Sequence, residues 1–419
     1  MDKLLLKKLA LQSFILMIGV ISFSFALKQY QGVTAAAGNK SDYNMVSSMT
    51  VNSIRGDVSL LNLGQADAAM DKSTEIQKQE KEINLSIQKK LGDSFFIIKK
   101  PQGEQLNLQL EDLYINKSIQ LTISGLAYAD LPCDSLLRVR KGEMFSGEPE
   151  YREIKSFQTD EESGKEEEVI TKDFGNDPCH SINITIGQDS ETKLYTAKLL
   201  IELDSVYAYI VYEDADNYYI DLRKPSEVYD KVLVIDPGHG GKDAGALSRN
   251  EAYYEKNINM GIVSELKKLL DKENIKVYYT RTEDSTVFLR PRAELANAVD
   301  CDYFISIHCN ANEVSYPNGT EILYNNNSFK GVKAYDLASL FKDELKKDIP
   351  LKSRGVVEKH PGDIFIMDKA KIPMILIEVG YITNNNDMNY LSKQENIKDV
   401  AQGIYNGIMR AYNELPVEK

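Results

Sequence analysis

The chain has 419 residues, 42% of them hydrophobic and 27% charged, which is enough for two or three domains and excludes a chain disordered throughout. Its formal net charge is −13 with no basic stripe, which argues against nucleic acid as a partner. Residues 231–419 hold 25 Lys+Arg against 27 Asp+Glu, so −11 of the total lies in the first 230 residues.

Taken in order, the chain begins with Lys3, Lys7 and Lys8, followed by 19 uncharged residues from Leu9 to Leu27. That run is at the lower edge of what spans a bilayer, and the lysines set its orientation. Residues 1–30 are therefore expected to be a signal peptide or a retained membrane anchor, which implies export to the cell envelope. Residues 31–90 read as a polar linker, with Ser73–Lys90 almost wholly polar and Ile76, Ile83 and Ile87 marking only a weak helical stripe. Between 91 and 226 short alternating strands follow one another, for example Leu106, Leu108 and Leu110, then Val206–Tyr212 and Tyr218–Leu222. No convincing helix separates them, so a β-sandwich is expected. The acidic segment from Asp160 to Glu168 is expected to be an exposed loop. Cys133 and Cys179 bracket it, and an exported domain permits a disulfide between them.

From residue 231 the pattern changes to alternating strands and helices, which implies an α/β sheet, mixed and mostly parallel, covered on both faces. Val232–Ile235 is a buried strand stopped by Asp236-Pro237-Gly238, leaving His239 between glycines. A second such strand, Tyr303–Ile307, ends in His308, and a third, Met374–Ile377, ends in Glu378. Ligands of open α/β sheets sit outside the carboxyl ends of the strands, so these three ends can converge on one crevice. A helical period over Glu251–Leu270 supplies Glu255, with Glu251 on the same face as its rival. Strand Ile275–Thr280 and helices Leu289–Val299, Ala334–Lys347 and Val400–Tyr412 complete the domain. Cys301 and Cys309 lie about 26 Å apart if extended, too far to bond each other, and Cys309 should point away from the His308 side of its strand. His180 is expected at a surface or turn, and His360 on a loop.

Two histidines and a carboxylate with an open fourth position suit a catalytic zinc ion, and hydrolysis then needs a second carboxylate that does not bind metal. The blocks DPGHGGKDAGA (236–246), Glu255-Lys256-Asn257, SIHCNAN (306–312), Arg354-Gly355-Val356 and IPMILIEVGYITN (372–384) resemble the zinc-dependent N-acetylmuramoyl-L-alanine amidases, amidase type 3. Asn257 stands where that family usually has Asp. The resemblance implies His239, Glu255 and His308 as ligands of one Zn²⁺ per catalytic domain and Glu378 as catalytic acid/base, with Asn310, Asn312 and Arg354 as expected substrate contacts. Glu378 could otherwise cap a helix or pair with Arg290 or Arg354. The implied activity is cleavage of the amide between N-acetylmuramic acid and L-alanine in peptidoglycan. A zinc peptidase acting on the stem peptide and a non-catalytic wall-binding regulator are the alternatives, and an activator protein is held open as a partner. The stretch ending YYIDLRKP weakly resembles the AMIN-type module that often precedes such amidases. The acidic balance excludes electrostatic capture of an anionic wall polymer, so recognition must be local.

Overall fold

The computed structural model describes residues 49–50, 85–100, 107–127, 136–140, 150–159, 166–415 and 417–418. The expected membrane segment, most of the linker and Cys133 lie outside them. No described helix is long and apolar enough to cross a membrane.

Among the described residues, the strands of the upstream region are β1 (Met49–Thr50), β2 (Ser94–Lys99), β3 (Asn107–Leu113), β4 (Ser118–Leu126), β5 (Leu136–Arg140), β6 (Arg152–Thr159), β7 (Glu166–Asp173), β8 (Cys179–Gln188), β9 (Tyr195–Leu203), β10 (Ala208–Glu213) and β11 (Asn217–Arg223). They form a seven-stranded sheet, β1-β3-β4-β9-β8-β7-β6, and a four-stranded sheet, β10-β11-β2-β5. Alternation explains the burial: Leu108 and Leu110 face in while their neighbours face out. The inward residues of both sheets meet in one core, where Phe96, Ile98 and Ile220 pack with Leu121, Ile184, Leu199 and Ile201. One expectation needs correction. Glu166–Glu168 are not loop but the start of β7, paired with Phe157–Thr159 of β6. All of β6 is exposed, so the ribbon stays solvated and tolerates the charges.

After the short helix α1 (Pro225–Val228) the chain enters the α/β region. Its strands are β12 (Val232–Pro237), β13 (Lys276–Tyr279), β14 (Tyr303–Asn310), β15 (Thr320–Tyr324), β16 (Ser328–Phe329), β17 (Val332–Lys333), β18 (Ser353–Glu358) and β19 (Met374–Tyr381). Six of them make the central sheet, ordered β13-β12-β14-β19-β15-β18 and parallel except where β15 meets β19. Helices α2 (Glu255–Leu270), α4 (Ala334–Asp348) and α7 (Gln394–Glu414) cover one face through Ile262, Leu266, Leu337, Phe341, Val400 and Ile404. Helices α3 (Leu289–Ala298) and α5 (Phe365–Lys369) cover the other, and α6 (Asn385–Leu391) follows β19. Burial on both faces is why β12 and β19 read as unbroken apolar runs. β15 and β18 escape sequence reading because each is short and set among polar residues.

The sandwich seals one edge of this sheet. Tyr114, in the 3-10 turn after β3, donates its hydroxyl hydrogen to the Tyr279 carbonyl at 3.0 Å and accepts the Tyr279 N–H at 3.1 Å. Both groups belong to the edge strand β13, and Asp112 reinforces the contact by pairing with Lys276 at 3.5 Å.

Candidate active site

The carboxyl ends of β12, β14 and β19 lie side by side. In register, Ser306 neighbours Asp236 on one side and Leu376 on the other, and His308 neighbours Glu378. Paired positions on neighbouring strands share a face, so His308 and Glu378 rise together from the sheet. Cys309 takes the opposite face and is buried among Ile307, Val379 and the α2 side chains, as expected from alternation.

Helix α2 begins at Glu255, not at Glu251. Glu251 lies in the preceding turn with φ 55°, so its claim on the helix face disappears. Glu255 is the first helical residue and is almost fully buried. Its Oε1 lies 3.1 Å from His239 Nε2 and 2.9 Å from His308 Nδ1, and accepts the Cys309 N–H at 3.1 Å. Its Oε2 accepts the Ala246 N–H at 2.8 Å. Thus the structure brings His239, Glu255 and His308 together, with one ligand atom of each lying within 4.8 Å of the others.

Two glycines make room for this cluster. A Cβ on Gly238 would come within 2.2 Å of the His308 ring, and one on Gly245 within 2.7 Å of both Glu255 Oε2 and His239 Cδ2. Gly245 also has φ +66°, which an L side chain adopts at a cost.

His239 itself has φ 62°, an uncommon conformation for a residue with a Cβ. Two arginines hold its loop. Arg281 donates to the carbonyls of Pro237 and Gly238, each at 2.9 Å. Arg292 donates to Pro237 O at 3.0 Å and His239 O at 2.8 Å, and pairs with Asp236 at 2.6 Å. Asp236 is completed by Ser306 at 2.6 Å and by Thr280. Burial alone would raise the Asp236 pKa, but Arg292 and the two hydroxyls hold it below the usual carboxylate range. Asp243 Oδ2 lies 2.9 Å from His239 Nδ1, the nitrogen turned away from Glu255, and so fixes the ring.

The cluster's electrostatics favour a cation at its centre. Burial would lower the His239 pKa, yet the Glu255 carboxylate and then Asp243 push it up to about 9. Burial would likewise raise Glu255, and the two histidines instead hold it well below the usual carboxylate range.

Glu378 is different. Burial dominates and pushes its pKa up to about 7, with His308 opposing and Glu255 and Glu321 adding to the rise. Its Oε2 is buried and has no hydrogen-bond partner among the described residues. Arg290 lies near Glu294 instead, at 3.8 Å, and Arg354 bonds Glu321 at 3.4 Å, so neither alternative partner reaches Glu378.

The remaining expected residues are spread out. Asn310 Oδ1 accepts the Ala311 N–H and Asn312 Oδ1 accepts the Val314 N–H, so both shape the rim after β14. His180 and His360 are exposed. Sequence reading missed Asp243, Arg281, Arg292 and Glu321. An arginine immediately after a buried strand, as in Tyr278-Tyr279-Thr280-Arg281, is the signal that could have found Arg281.

Comparison with known proteins identifies the family. Residues 233–410 match the family model described as N-acetylmuramoyl-L-alanine amidase. The chain is 32% identical to the uncharacterized protein YqiI of Bacillus subtilis, over 44% of this chain and 86% of that one. It is 32% identical to the amidase CwlM of Bacillus licheniformis, over 43% of this chain and 68% of that one. Against the amidase LytC of Bacillus subtilis the identity is 31%, over 46% of this chain and 37% of LytC. Among solved structures, the catalytic domain of CwlV from Bacillus (Paenibacillus) polymyxa aligns at 30% identity and a TM-score of 0.41, covering 44% of this chain and 98% of that domain. Through residues 233–410 the chain belongs to the N-acetylmuramoyl-L-alanine amidase family.

Proposed function

We propose that the α/β region hydrolyses the amide between N-acetylmuramic acid and L-alanine in peptidoglycan with one zinc ion held by His239, Glu255 and His308. Hydrolysis of that amide is the family's activity; the proposal assigns its parts to residues. The observation that carries the assignment is the pairing of a three-donor cluster with a neighbouring carboxyl that joins no ion pair among the described residues.

The donors suit the metal. Two imidazole nitrogens and one carboxylate oxygen are a catalytic zinc set, and His239 Nε2 and His308 Nδ1 both aim at the same oxygen of Glu255. Gly238 and Gly245 keep the cradle clear. When bound, zinc would polarise the lactyl carbonyl and lower the pKa of a water to about 7.

Glu378 then acts as the base. Its pKa of about 7 lets it take the water proton at neutral pH and return it to the departing L-alanine nitrogen. Asp243 keeps His239 in the tautomer that presents Nε2 to the metal. Arg281 and Arg292 keep the loop from relaxing out of its left-handed conformation. Asn310 and Asn312 border the cleft as substrate contacts, and Arg354 lies on its far side.

The upstream sandwich is proposed as an AMIN-like module that meets wall or envelope components, with the whole chain acting outside the cytoplasm. Export through residues 1–30, retained as an anchor or removed, belongs to the same reading. The test gives the full chain intact peptidoglycan, with and without chelator, and identifies the new termini. New α-amino groups on L-alanine that vanish on chelation and return with zinc support the proposal. Free carboxyls within the stem peptide would replace it with a peptidase, and no termini at all with a binding role.

A further inference from the structure

Four side chains form one row across the sheet at the site: His308 on β14, Glu378 on β19, Glu321 on β15 and Arg354 on β18. Glu378 registers with His308 and Glu321 with Glu378, while Arg354 is the extra residue where the β15–β18 register shifts between Thr320 and Glu321. At about 4.8 Å per strand, Arg354 stands ~10 Å from Glu378 along the row.

The arginines of this region are not equivalent. Arg281 and Arg292 are buried and spend their donors on carbonyls and Asp236. Arg249 spends its Nε and Nη2 on the carbonyls of Thr383 and Glu313. Arg354 has only its Nε engaged, at 3.4 Å from Glu321 Oε1, and its Nη1 and Nη2 have no hydrogen-bond partner among the described residues. The Tyr381 ring lies 5.3 Å below its Cζ, and the side chain is 32% exposed. A guanidinium beside an aromatic ring, whose two terminal nitrogens have no hydrogen-bond partner among the described residues, suits bidentate receipt of a carboxylate.

The substrate restricts which carboxylate this is. The glycan beside the scissile amide is uncharged, whereas the peptide carries a free carboxylate on the residue after L-alanine. An extended peptide advances about 3.3 Å per residue, so that group lies two residues, or roughly 7–10 Å, from the reacting carbonyl. That reach is of the same order as the two strand spacings that separate Glu378 from Arg354.

Resting on the amidase reading above, we propose that Arg354 recognises the free α-carboxylate of the second stem-peptide residue, with Tyr381 and Glu321 holding the guanidinium in place. Arg354 is a specificity residue: it distinguishes a peptide with that carboxylate free from one in which it is amidated.

The test uses the full chain with zinc and two probes, N-acetylmuramoyl-L-alanyl-D-glutamate with its γ-carboxyl amidated, and the same compound with its α-carboxyl amidated as well. The wild type is expected to cleave the acid ~10–100-fold better in kcat/KM, the range set by a charge-assisted bidentate pair. Arg354→Gln should remove most of that preference through KM for the acid, and Arg354→Lys should restore part of it. Arg354→Ala with an unchanged melting temperature separates lost recognition from lost folding. Equal rates of the wild type on both probes, or a preference that survives in Arg354→Gln, would overturn the proposal while leaving the amidase reading intact. Cleavage of neither probe would bring down both.

Discussion

The two faces of the six-stranded sheet are built from the same strands to different ends. On the face under α2, α4 and α7 the strands stay apolar to their carboxyl ends: Leu233 and Ile235, then Ile305, Ile307 and Cys309, then Ile375, Ile377 and Val379. On the other face they begin apolar, with Val234, Phe304, Met374 and Leu376, and turn polar at Asp236, Ser306, His308 and Glu378. One parity secures the fold throughout, and the other gives up apolar packing over its last positions to form the candidate site. Strand alternation lets the two tasks proceed without sharing a residue.

The two parities are not independent if they respond alike to substitution. The largest effect is expected from Glu255→Ala or His308→Ala, which remove a donor from the cluster. Turnover should fall by at least ~10³-fold and bound zinc, measured by metal analysis, should drop below one per chain.

Glu378→Gln should lower kcat by ~10²–10⁴-fold while zinc stays bound. The proposed base must be ionised to act, so wild-type kcat/KM should decline as pH falls below about 7, and the variant should lack that limb. The same group bears on stability with a definite sign. Its folded pKa of about 7 lies above its ordinary 4.5, so its contribution is fully present below 4.5 and lost as pH rises through 7. Urea midpoints of the metal-free protein should therefore show Glu378→Gln more stable than wild type by ~1–3 kcal/mol at pH 8, with little difference at pH 4.5.

On the opposite parity, Ile305→Ala should cost ~2–5 kcal/mol of stability and leave the zinc content of the folded protein at one per chain. Loss of zinc there would show that the two faces are not independent. The smallest effect is expected from Tyr114→Phe, which strips two hydrogen bonds from Tyr279 at ~1–3 kcal/mol and should speed hydrogen exchange at the Tyr279 amide.

The division of labour was partly legible in the sequence. Apolar runs ending in His308 and Glu378 give both the strands and the parity of the site, because a buried strand cannot end in an ionisable residue without a reason. Glu255 was harder, since helical period alone put Glu251 on the same face; the turn at Ser248–Glu251 decides it, with the Glu251 N–H bonded to the Ser248 carbonyl. Arg281 and Arg292 were not legible as loop holders, because their acceptors are backbone carbonyls that every residue has. Glu321 was missed with its strand: five residues among polar neighbours carry too little periodicity to register. Glu166–Glu168 read as loop for a related reason: the β6 residues they pair with are all exposed, so that end of the ribbon has no apolar alternation to show.

The Tyr114 hydroxyl has a consequence beyond its own two bonds. Sheet growth is a polymerisation in which each strand offers its free N–H and C=O groups as the primer for the next. By filling one donor and one acceptor position of β13 with a single phenol, the sandwich acts as a chain terminator for the central sheet. A chain cut at residue 226 would carry every residue of the candidate active site yet regain that primer, with the Lys276–Tyr279 edge open to a strand of another molecule.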